Sequence, residues 1–421
     1  MNKSKKYVVL SFLAMAQGAV YFLPYIRNVY YTPMLNTMGV NNAQFGSLVS
    51  FFAIGCMILY IPGGILTDKW DYKKCITISL YTTAALVGSF AFFMNFAYAR
   101  IVFFLMALST TFVFWSAALK AVRIIGGKDD QGKTFGVYYA IQGLLSILLQ
   151  NGMLFIYNSF ADQALGLRVV LLINAGVNLI AGIGCQLFLE PQSKLSALSD
   201  KQSVFEFKMV GKVLKNPLIW IIAVLVFCLY GVYSNSYYYS TYLTTVKGLD
   251  EGIGAQLSLI RVTYMMFFAS LAGGFVINKL KSTIKWYVIC AGSAVLSTLT
   301  FILLMGTGMS PFILGVISIL PPAFIFLVYG MVSSMYEEFG VPLAVTGTAV
   351  GIVSIIGYTP DLFFGPILGG ILDAQGDAGY ASLFGFFLVI GIVGFLAGVL
   401  AMVLNKRRKA KEAAAGIVHQ L

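Results

Sequence analysis

Charged side chains are scarce in this chain of 421 residues. Asp, Glu, Lys and Arg together make up 10% of the sequence, whereas 59% of the residues are hydrophobic. Soluble proteins carry about 25% charged residues, so water cannot be the solvent for most of this surface. Together with a mean hydropathy of +0.86, the composition excludes an ordinary soluble protein and predicts a polytopic membrane protein.

The residues of most enzyme and metal sites are also missing. The one histidine, His419, lies among the last three residues of the sequence, and the five cysteines are scattered singly. This pattern gives no support for a Ser-His-Asp triad, a histidine metal cage or a disulfide framework. No phosphate-binding loop motif is present either. We therefore expect neither an enzyme nor a bound cofactor or metal.

Long apolar runs take up most of the sequence. A bilayer-spanning helix needs about 20 apolar residues, and unbroken runs of that length do not suit a β-barrel. The Lys-rich start lacks a small-residue cleavage site, so the first run is read as a span rather than a signal peptide. The runs predict an all-α membrane protein of twelve helices, at approximately 7–33, 44–66, 75–96, 100–121, 135–157, 168–189, 218–245, 254–277, 286–306, 311–335, 345–371 and 380–404.

The net charge of +12 is distributed unequally between the two sides of the membrane. Of the 28 Lys and Arg residues, 23 fall in tails and loops on one side of the predicted spans, and three fall on the other side. Because positive residues concentrate in the cytoplasm, both termini are predicted to be cytoplasmic. The excess charge therefore reports orientation and does not indicate a nucleic-acid partner. Arg27 and Arg261 remain inside predicted spans.

The sequence also divides into two halves. Residues 1–190 are predicted to form one six-helix bundle and residues 218–404 a second one, joined by a cytoplasmic linker at 191–217 and followed by a basic tail at 405–421. A GGxxx(D/N)K pattern starts at Gly63 and again at Gly273, an offset of 210 residues. Two parallel six-helix repeats are typical of a secondary transporter with its site between the halves.

The first copy of this pattern resembles the signature of the major facilitator superfamily, which runs roughly G-x-L-x-D-[RK]-x-G-[RK]-[RK]. The matching residues are Gly64, Leu66, Asp68, Lys69, Lys73 and Lys74, and Asp71 stands where glycine is usual. The resemblance implies the twelve-helix fold of that family and transport of a small molecule.

Three further stretches, residues 25–31, 115–120 and 357–361, are similar to a poorly characterised bacterial inner-membrane branch of this family. One member of that branch is associated with genes for sulfonated-sugar catabolism. The resemblance implies a multi-pass protein of the bacterial inner membrane, in contact with the lipid bilayer. We also expect the protein to be a monomer.

The repeated motif is predicted to act as a gate. An acid at a helix end can hold nearby positive groups and so close one side of the protein in one state. The predicted gating residues are Gly64, Asp68 and Lys69 in the first copy, and Gly274, Asn278 and Lys279 in the second.

Arg27 and Arg261 are predicted to bind substrate. They fall at similar depth in predicted spans 1 and 8, where a cation costs about 2.5–3.5 kcal/mol and so normally faces protein or a watery cavity. Two guanidinium groups can clamp one carboxylate, phosphate or sulfonate. Two alternatives remain open. Arg27 could extend to the lipid headgroups beyond Pro24, and Arg261 could pair with Asp361.

Asp361 is the one acid predicted to lie well inside a span. Protonation would remove its charge, so it is a candidate for coupling substrate movement to a proton gradient. It could instead neutralise an arginine or cap the helix break at Pro360.

Aromatic and amide side chains complete the predicted site, because rings and hydroxyl groups suit a hydroxylated ligand. Gln142 could instead belong to contacts between helices, and the outer tyrosines could belong to an interfacial aromatic belt. These outer tyrosines are Tyr30, Tyr31, Tyr239 and Tyr242. The predicted substrate-binding set comprises Tyr21, Tyr25, Tyr30, Tyr31, Gln142, Tyr237, Tyr264 and Tyr358.

The preferred interpretation is a secondary active transporter of a small organic anion, such as a sugar acid, sugar phosphate or sulfonated sugar, with proton coupling as an option. An alternative is a proton-coupled carrier of a neutral sugar or amphipathic drug, in which the arginines only balance Asp361. From another class, the chain could be a membrane sensor or scaffold that does not transport.

Overall fold

The computed structural model describes residues 3–126, 131–191, 216–332, 334–341 and 343–414. Within these ranges every regular element is a helix. Ten stretches of the described chain are long and apolar enough to cross a membrane. The prediction of an all-helical membrane protein is therefore confirmed, while the count of twelve spans stays a prediction.

Eight helices belong to the part of the chain before the predicted linker. A π-helical segment, Leu108–Trp115, joins the fifth helix to the sixth. The helices are α1 (Lys3–Val20), α2 (Arg27–Met38), α3 (Asn42–Lys69), α4 (Tyr72–Phe92), α5 (Phe96–Ala107), α6 (Ser116–Gly126), α7 (Gln131–Asn158) and α8 (Gln163–Phe188).

Eleven more helices are described after the predicted linker. A π-helical segment, Ile260–Tyr264, joins α11 to α12, and a 3-10 turn, Gly376–Ala378, precedes the last helix. The helices are α9 (Pro217–Tyr233), α10 (Tyr237–Thr245), α11 (Glu251–Leu259), α12 (Met265–Leu280), α13 (Thr283–Met305), α14 (Pro311–Ile317), α15 (Leu320–Tyr329), α16 (Ser334–Glu338), α17 (Leu343–Gly357), α18 (Pro360–Gln375) and α19 (Gly379–Ala414).

The chain folds into two compact units. The first unit comprises Met1–Gln202, Tyr237–Phe267 and Asp361–Asp377, and the second comprises Ser203–Ser236, Phe268–Pro360 and Ala378–Leu421. The first unit therefore contains α10, α11 and α18 from the second predicted half. The division into two six-helix bundles joined by a linker at residues 191–217 stays a prediction.

The core of the first unit lies among α1, α4, α6, α7 and α8. In α1 the residues Leu10, Leu13 and Ala14 are almost fully buried against Ile76 of α4 and Ala181 of α8. These apolar positions recur at helical spacing, so one face of each helix is removed from lipid and from water. The helix ends have ordinary polar caps: Asp71, Asn95 and Asp162 accept hydrogen bonds from the first turns of α4, α5 and α8.

The core of the second unit lies among α9, α13, α15, α17 and α19. Ile222 of α9, Tyr287 of α13, Val328 of α15 and Ala401 of α19 are all fully buried there. Glu338 of the short helix α16 caps α13: its carboxylate accepts hydrogen bonds from the Ser282 hydroxyl at 2.6 Å and from the Thr283 amide at 2.7 Å.

Four of the predicted spans are interrupted. The span predicted at 7–33 ends as a regular helix at Val20 and resumes at Arg27. Pro24 lies in this break. Proline lacks the N–H group that a continuous helix needs, so it interrupts the helix. The span predicted at 218–245 breaks between Tyr233 and Tyr237. Pro24 and Ser234, one in each break, are separated by 210 residues, the offset of the sequence repeat.

The remaining two interruptions also have local causes. The span predicted at 311–335 is divided into α14, α15 and α16, and Pro321 and Pro322 stand at the start of α15. The span predicted at 345–371 is divided at 358–359, directly before Pro360. The residues before a proline are pushed out of helical geometry. Broken helices are a common way for a transporter to expose backbone groups to a binding cavity.

Candidate functional site

A buried ion pair joins α2 to α18 inside the first unit. Arg27 Nη2 donates to Asp361 Oδ1 at 2.9 Å, and the side chains are 2% and 5% exposed. The Tyr25 hydroxyl donates to the other carboxylate oxygen, Oδ2, at 3.1 Å. Arg27 therefore lies in the protein interior, not at a headgroup surface. Since the pair brings together residues 334 positions apart, it ties the break in the first predicted span to the break in the eleventh.

Two tyrosine rings extend this pair. The guanidinium carbon of Arg27 lies 5.2 Å from the ring centroid of Tyr237, within the range of a cation-π interaction. The Tyr31 ring stacks on the Tyr237 ring, with 5.0 Å between the centroids and an angle of 25° between the planes. Arg27, Tyr31 and Tyr237, three of the residues predicted from the sequence, therefore form one contiguous group.

Arg261 occupies the π-helical segment between α11 and α12 and is fully buried. Its Nη1 atom donates to the Ser240 hydroxyl at 3.1 Å, and its guanidinium carbon lies 5.4 Å from the Tyr239 ring centroid. Tyr239 is itself fully buried, so it does not belong to an interfacial aromatic belt. Single π-helical turns inside α-helices often occur at functional sites, because they re-aim a side chain.

A small cavity, partly open to solvent, lies among α2, α10 and α11. Arg27 lines it directly, and Ser240, the partner of Arg261, lines it as well. Its wall therefore has a guanidinium group on one side and a hydroxyl group backed by a second guanidinium on another. The other lining residues named by the sequence predictions are Tyr31 and Tyr237, and Glu251 contributes one carboxylate.

The other predicted residues of the first unit lie around this group. Tyr30 is 1% exposed, has non-helical backbone angles within α2, and packs edge-on against Tyr157. Tyr21 lies in the break after α1 and packs edge-on against Trp115. Gln142 is half-buried on α7, and Tyr264 is half-buried at the end of the second π-helical segment. Two turns from Gln142 on α7, Gln150 accepts a hydrogen bond from Thr263 at 3.2 Å.

Tyr358 belongs to the second unit. Its ring packs edge-on against Tyr230 with 4.8 Å between centroids, and its hydroxyl accepts a hydrogen bond from the Tyr329 hydroxyl at 3.3 Å. Tyr233 packs against Tyr329 in the same cluster. The sequence predicted a role for Tyr358 but did not identify this aromatic cluster.

Both copies of the predicted gate motif lie near the ends of helices, the first in α3 and the second in α12. The side chains of Asp68, Lys69 and Asn278 and the surroundings of Gly64 and Gly274 lie outside what the structure describes. The Lys279 side chain is exposed. The gating role of this motif therefore stays a prediction.

The sequence reasoning missed one face of α18. Asp361, Gly365, Gly369 and Asp373 follow each other at intervals of four, which places them on a single helix face. Asp373 binds the start of α3: its Oδ1 accepts from the Asn42 amide at 3.0 Å and its Oδ2 from the Ala43 amide at 2.9 Å. The regular spacing is the signal that could have identified this face.

Comparison with protein families assigns residues 9–360 to the family described as the Major Facilitator Superfamily. This range covers most of the chain and includes Arg27 and Arg261.

Curated relatives come from Escherichia coli strain K12. The chain is 26% identical to the inner membrane protein YqcE over 373 residues, covering 87% of this chain and 88% of the relative. It is 22% identical to the inner membrane protein YihN over 419 residues, covering 99% of this chain and 100% of the relative. Both alignments span nearly the whole protein.

Two solved structures of transporters are similar to this chain in fold. The nucleoside transporter NupG superposes with a TM-score of 0.73 at 16% identity, covering 96% of this chain and 99% of that one. A bacterial homologue of the human lysosomal transporter Spinster, in an inward-facing and unoccupied conformation, superposes with a TM-score of 0.71 at 16% identity. That match covers 96% of this chain and 98% of the other. At this identity the likeness concerns the fold.

Proposed function

We propose that the substrate of this protein is a small organic anion. The chain belongs to the Major Facilitator Superfamily and is a secondary transporter, not an enzyme. The substrate class is a sugar acid, a sugar phosphate or a sulfonated sugar, carried by alternating access. The observation behind the proposal is a pair of buried arginines at one cavity: Arg27 lines it, and Arg261 lies behind it, bonded to the lining residue Ser240.

The chemistry of the cavity suits an anionic, hydroxylated ligand. Each guanidinium group offers a planar fork of donors that matches a carboxylate, phosphate or sulfonate group. The rings of Tyr31 and Tyr237 provide flat apolar surface for a sugar, and Ser240 and Thr241 provide hydroxyl groups. Glu251 also lines the cavity and would repel an anion, so we expect the charged end of the ligand to lie toward Arg27 and Ser240.

Asp361 gives this site a means of coupling to protons. It neutralises Arg27 in the present arrangement, so an entering anion competes with the Asp361 carboxylate for the same guanidinium group. Protonation of Asp361 would release Arg27 for the substrate, and deprotonation would favour the ion pair again. We propose proton symport on this basis.

A thermal-shift experiment tests the substrate class. The purified full-length protein is heated with a panel of sugar acids, sugar phosphates and sulfonated sugars, each paired with its uncharged parent sugar. Specific binding stabilises the folded state, so an anionic member should raise the unfolding midpoint while its parent does not. Arg261→Gln should remove that shift. Arg168→Gln is the matched control, because Arg168 donates to the Ala91 carbonyl oxygen at 3.1 Å and does not line the cavity.

A second candidate is proton-coupled transport of a neutral, hydroxylated molecule. The observation that favours it is the ion pair itself, since Asp361 already balances the charge of Arg27. The nucleoside named for NupG is likewise uncharged. In this case an uncharged ligand should bind equally well to the wild type and to the Arg261→Gln variant.

We further propose that the protein lies in a bacterial inner membrane as a monomer with both termini in the cytoplasm. The names of the two Escherichia coli relatives support the membrane. The asymmetric distribution of Lys and Arg supports the orientation.

A further inference from the structure

The end of α7 and the start of α11 meet at one part of the cavity wall. Tyr157 of α7 and Glu251 of α11 both line the cavity. The two segments are neighbours, since a Cβ atom built on Gly252 would lie 3.1 Å from Asn158 Nδ2. The wall therefore carries one phenol group and one carboxylate group to which the binding of an anion assigns no role.

The ring of Tyr157 is held in place by its neighbours. It packs edge-on against the Tyr30 ring, with 5.0 Å between centroids, and a Cβ atom built on Gly166 of α8 would lie 3.0 Å from its Cδ2 atom. The side chain is 8% exposed, and within the described part of the chain its hydroxyl group has no hydrogen-bond partner. A buried hydroxyl group is costly to leave unpaired. This one is therefore available to a polar group that enters the cavity.

Glu251 is held from the side of α8. Gln163 Nε2 donates to Glu251 Oε2 at 2.7 Å. Among the described residues no donor is bonded to the other carboxylate oxygen, Oε1. The Glu251 side chain is exposed, so this oxygen can be reached through the open part of the cavity. Gln163 thus orients an acceptor that has one free oxygen.

A hydroxyl group on a ligand suits both side chains at once. It can donate its hydrogen to Glu251 and accept the hydrogen of the Tyr157 hydroxyl group. An ammonium group has no acceptor, so it would leave the Tyr157 hydrogen unpaired. An anionic group would be repelled by the Glu251 carboxylate. The chemistry of this part of the wall therefore favours a neutral group that both donates and accepts.

We propose that Tyr157 and Glu251 form a hydroxyl-binding subsite, which selects polyhydroxylated anions over plain carboxylates, phosphates and sulfonates of the same charge. The subsite rests on the proposed function, in which Arg27 and Ser240 take the charged group. Tyr157 and Glu251 then take a hydroxyl group of the sugar. A site built to bond a hydroxyl group discriminates strongly against an analogue that lacks it, because the site's own polar groups are left unpaired.

Pairs of ligands with equal charge test the subsite. The pairs are glucuronate with cyclohexanecarboxylate, glucose phosphate with cyclohexylmethyl phosphate, and sulfonated glucose with cyclohexylmethanesulfonate. Isothermal titration calorimetry on the purified full-length protein gives both dissociation constants of each pair. The wild type should bind the hydroxylated member of at least one pair at least tenfold more tightly. Glu251→Gln and Tyr157→Phe should each lower that preference about fivefold and leave the affinity for the plain anion unchanged or higher.

Two control variants change the same chemical groups away from the cavity. Tyr98→Phe removes a hydroxyl group that donates to Ser89 at 2.8 Å and does not line the cavity. Asp377→Asn removes the charge of an exposed acid that does not line it either. Both should keep the wild-type preference.

The outcomes separate the subsite from the anionic substrate. A wild-type preference in Glu251→Gln and Tyr157→Phe overturns the subsite. Equal loss of affinity for both members of a pair also overturns it, because the side chains would then have a structural role only. Equal binding of both members by the wild type overturns the subsite and leaves the anionic substrate in place. If no member of any pair binds, the proposed function fails and the subsite falls with it.

Discussion

Arg27 and Asp361 form an ion pair with 2.9 Å between Nη2 and Oδ1, and both side chains are almost entirely buried. Removing two charges from water is costly, so such a pair persists only when each charge is satisfied by the other and by further hydrogen bonds. Tyr25 supplies one of these bonds to Asp361, and the ring of Tyr237 supplies a face for Arg27. The pair is thus both a structural tie and the point at which a substrate anion could compete.

The first prediction concerns the stability of this pair. Arg27→Met alone or Asp361→Leu alone should lower the free energy of unfolding by about 3–5 kcal/mol, because each leaves one charge buried without its partner. The double variant Arg27→Met/Asp361→Leu should recover most of the loss. Thermal unfolding in detergent ranks the stabilities of the three variants by their unfolding midpoints.

The exposed pair of Lys5 and Glu190 is the control. Its nitrogen and oxygen are 2.7 Å apart, but the side chains are 41% and 28% exposed. Glu190→Gln should change stability by about 1 kcal/mol or less. A loss in Asp361→Leu no larger than this would contradict a tightly coupled buried pair.

The second prediction concerns the cap of α13. The Glu338 carboxylate binds Ser282 and the amides of Thr283 and Ile284. Glu338→Ala should cost about 1 kcal/mol, the usual value of a lost cap. Glu337→Ala, at the exposed neighbouring position, should stay within about 0.5 kcal/mol of the wild type. Equal midpoints for the two variants in a thermal melt would argue against the cap.

The third prediction separates the ring of Tyr237 from its hydroxyl group. Tyr237→Phe keeps the ring beneath Arg27 and beside Tyr31, whereas Tyr237→Leu removes it. A cation-π contact contributes about 0.5–2 kcal/mol, so the leucine variant should bind the anionic ligand several-fold more weakly. Titration of the anion found in the thermal-shift panel measures this effect. Equal loss in both variants would assign the role to the hydroxyl group instead.

Much of the architecture follows from local sequence. Apolar runs of about 20 residues predict the spans, and the repeated GGxxx(D/N)K pattern lies at the ends of α3 and α12 as a loop-flanking motif should. Pro24 and Pro360 mark two of the helix breaks in advance. In each case a property of a few neighbouring residues decides the structure.

The partner of each buried charge is harder to predict. Composition and spacing identify Arg27, Arg261 and Asp361 as costly residues, yet one alternative from the sequence pairs Asp361 with Arg261, whereas the described ion pair of Asp361 is with Arg27. The pairing depends on how α2 and α18 pack, and α18 also packs closely on α3, where Gly365 meets Gly46 from more than 300 residues away in sequence. Tyr239 was similarly open to interpretation, because burial beneath Arg261 is a property of tertiary structure alone.

Uptake into proteoliposomes tests the central claim most directly. An anionic sugar that stabilises the protein and its uncharged parent sugar are presented to the wild type, Arg261→Gln and Arg168→Gln. The anionic-substrate account predicts that the wild type and Arg168→Gln accumulate the anion and not the parent, and that Arg261→Gln loses at least tenfold in uptake, the effect of about 1.4 kcal/mol of lost binding. Wild-type uptake of the anion by Arg261→Gln, or equal uptake of the parent sugar by the wild type, would contradict it.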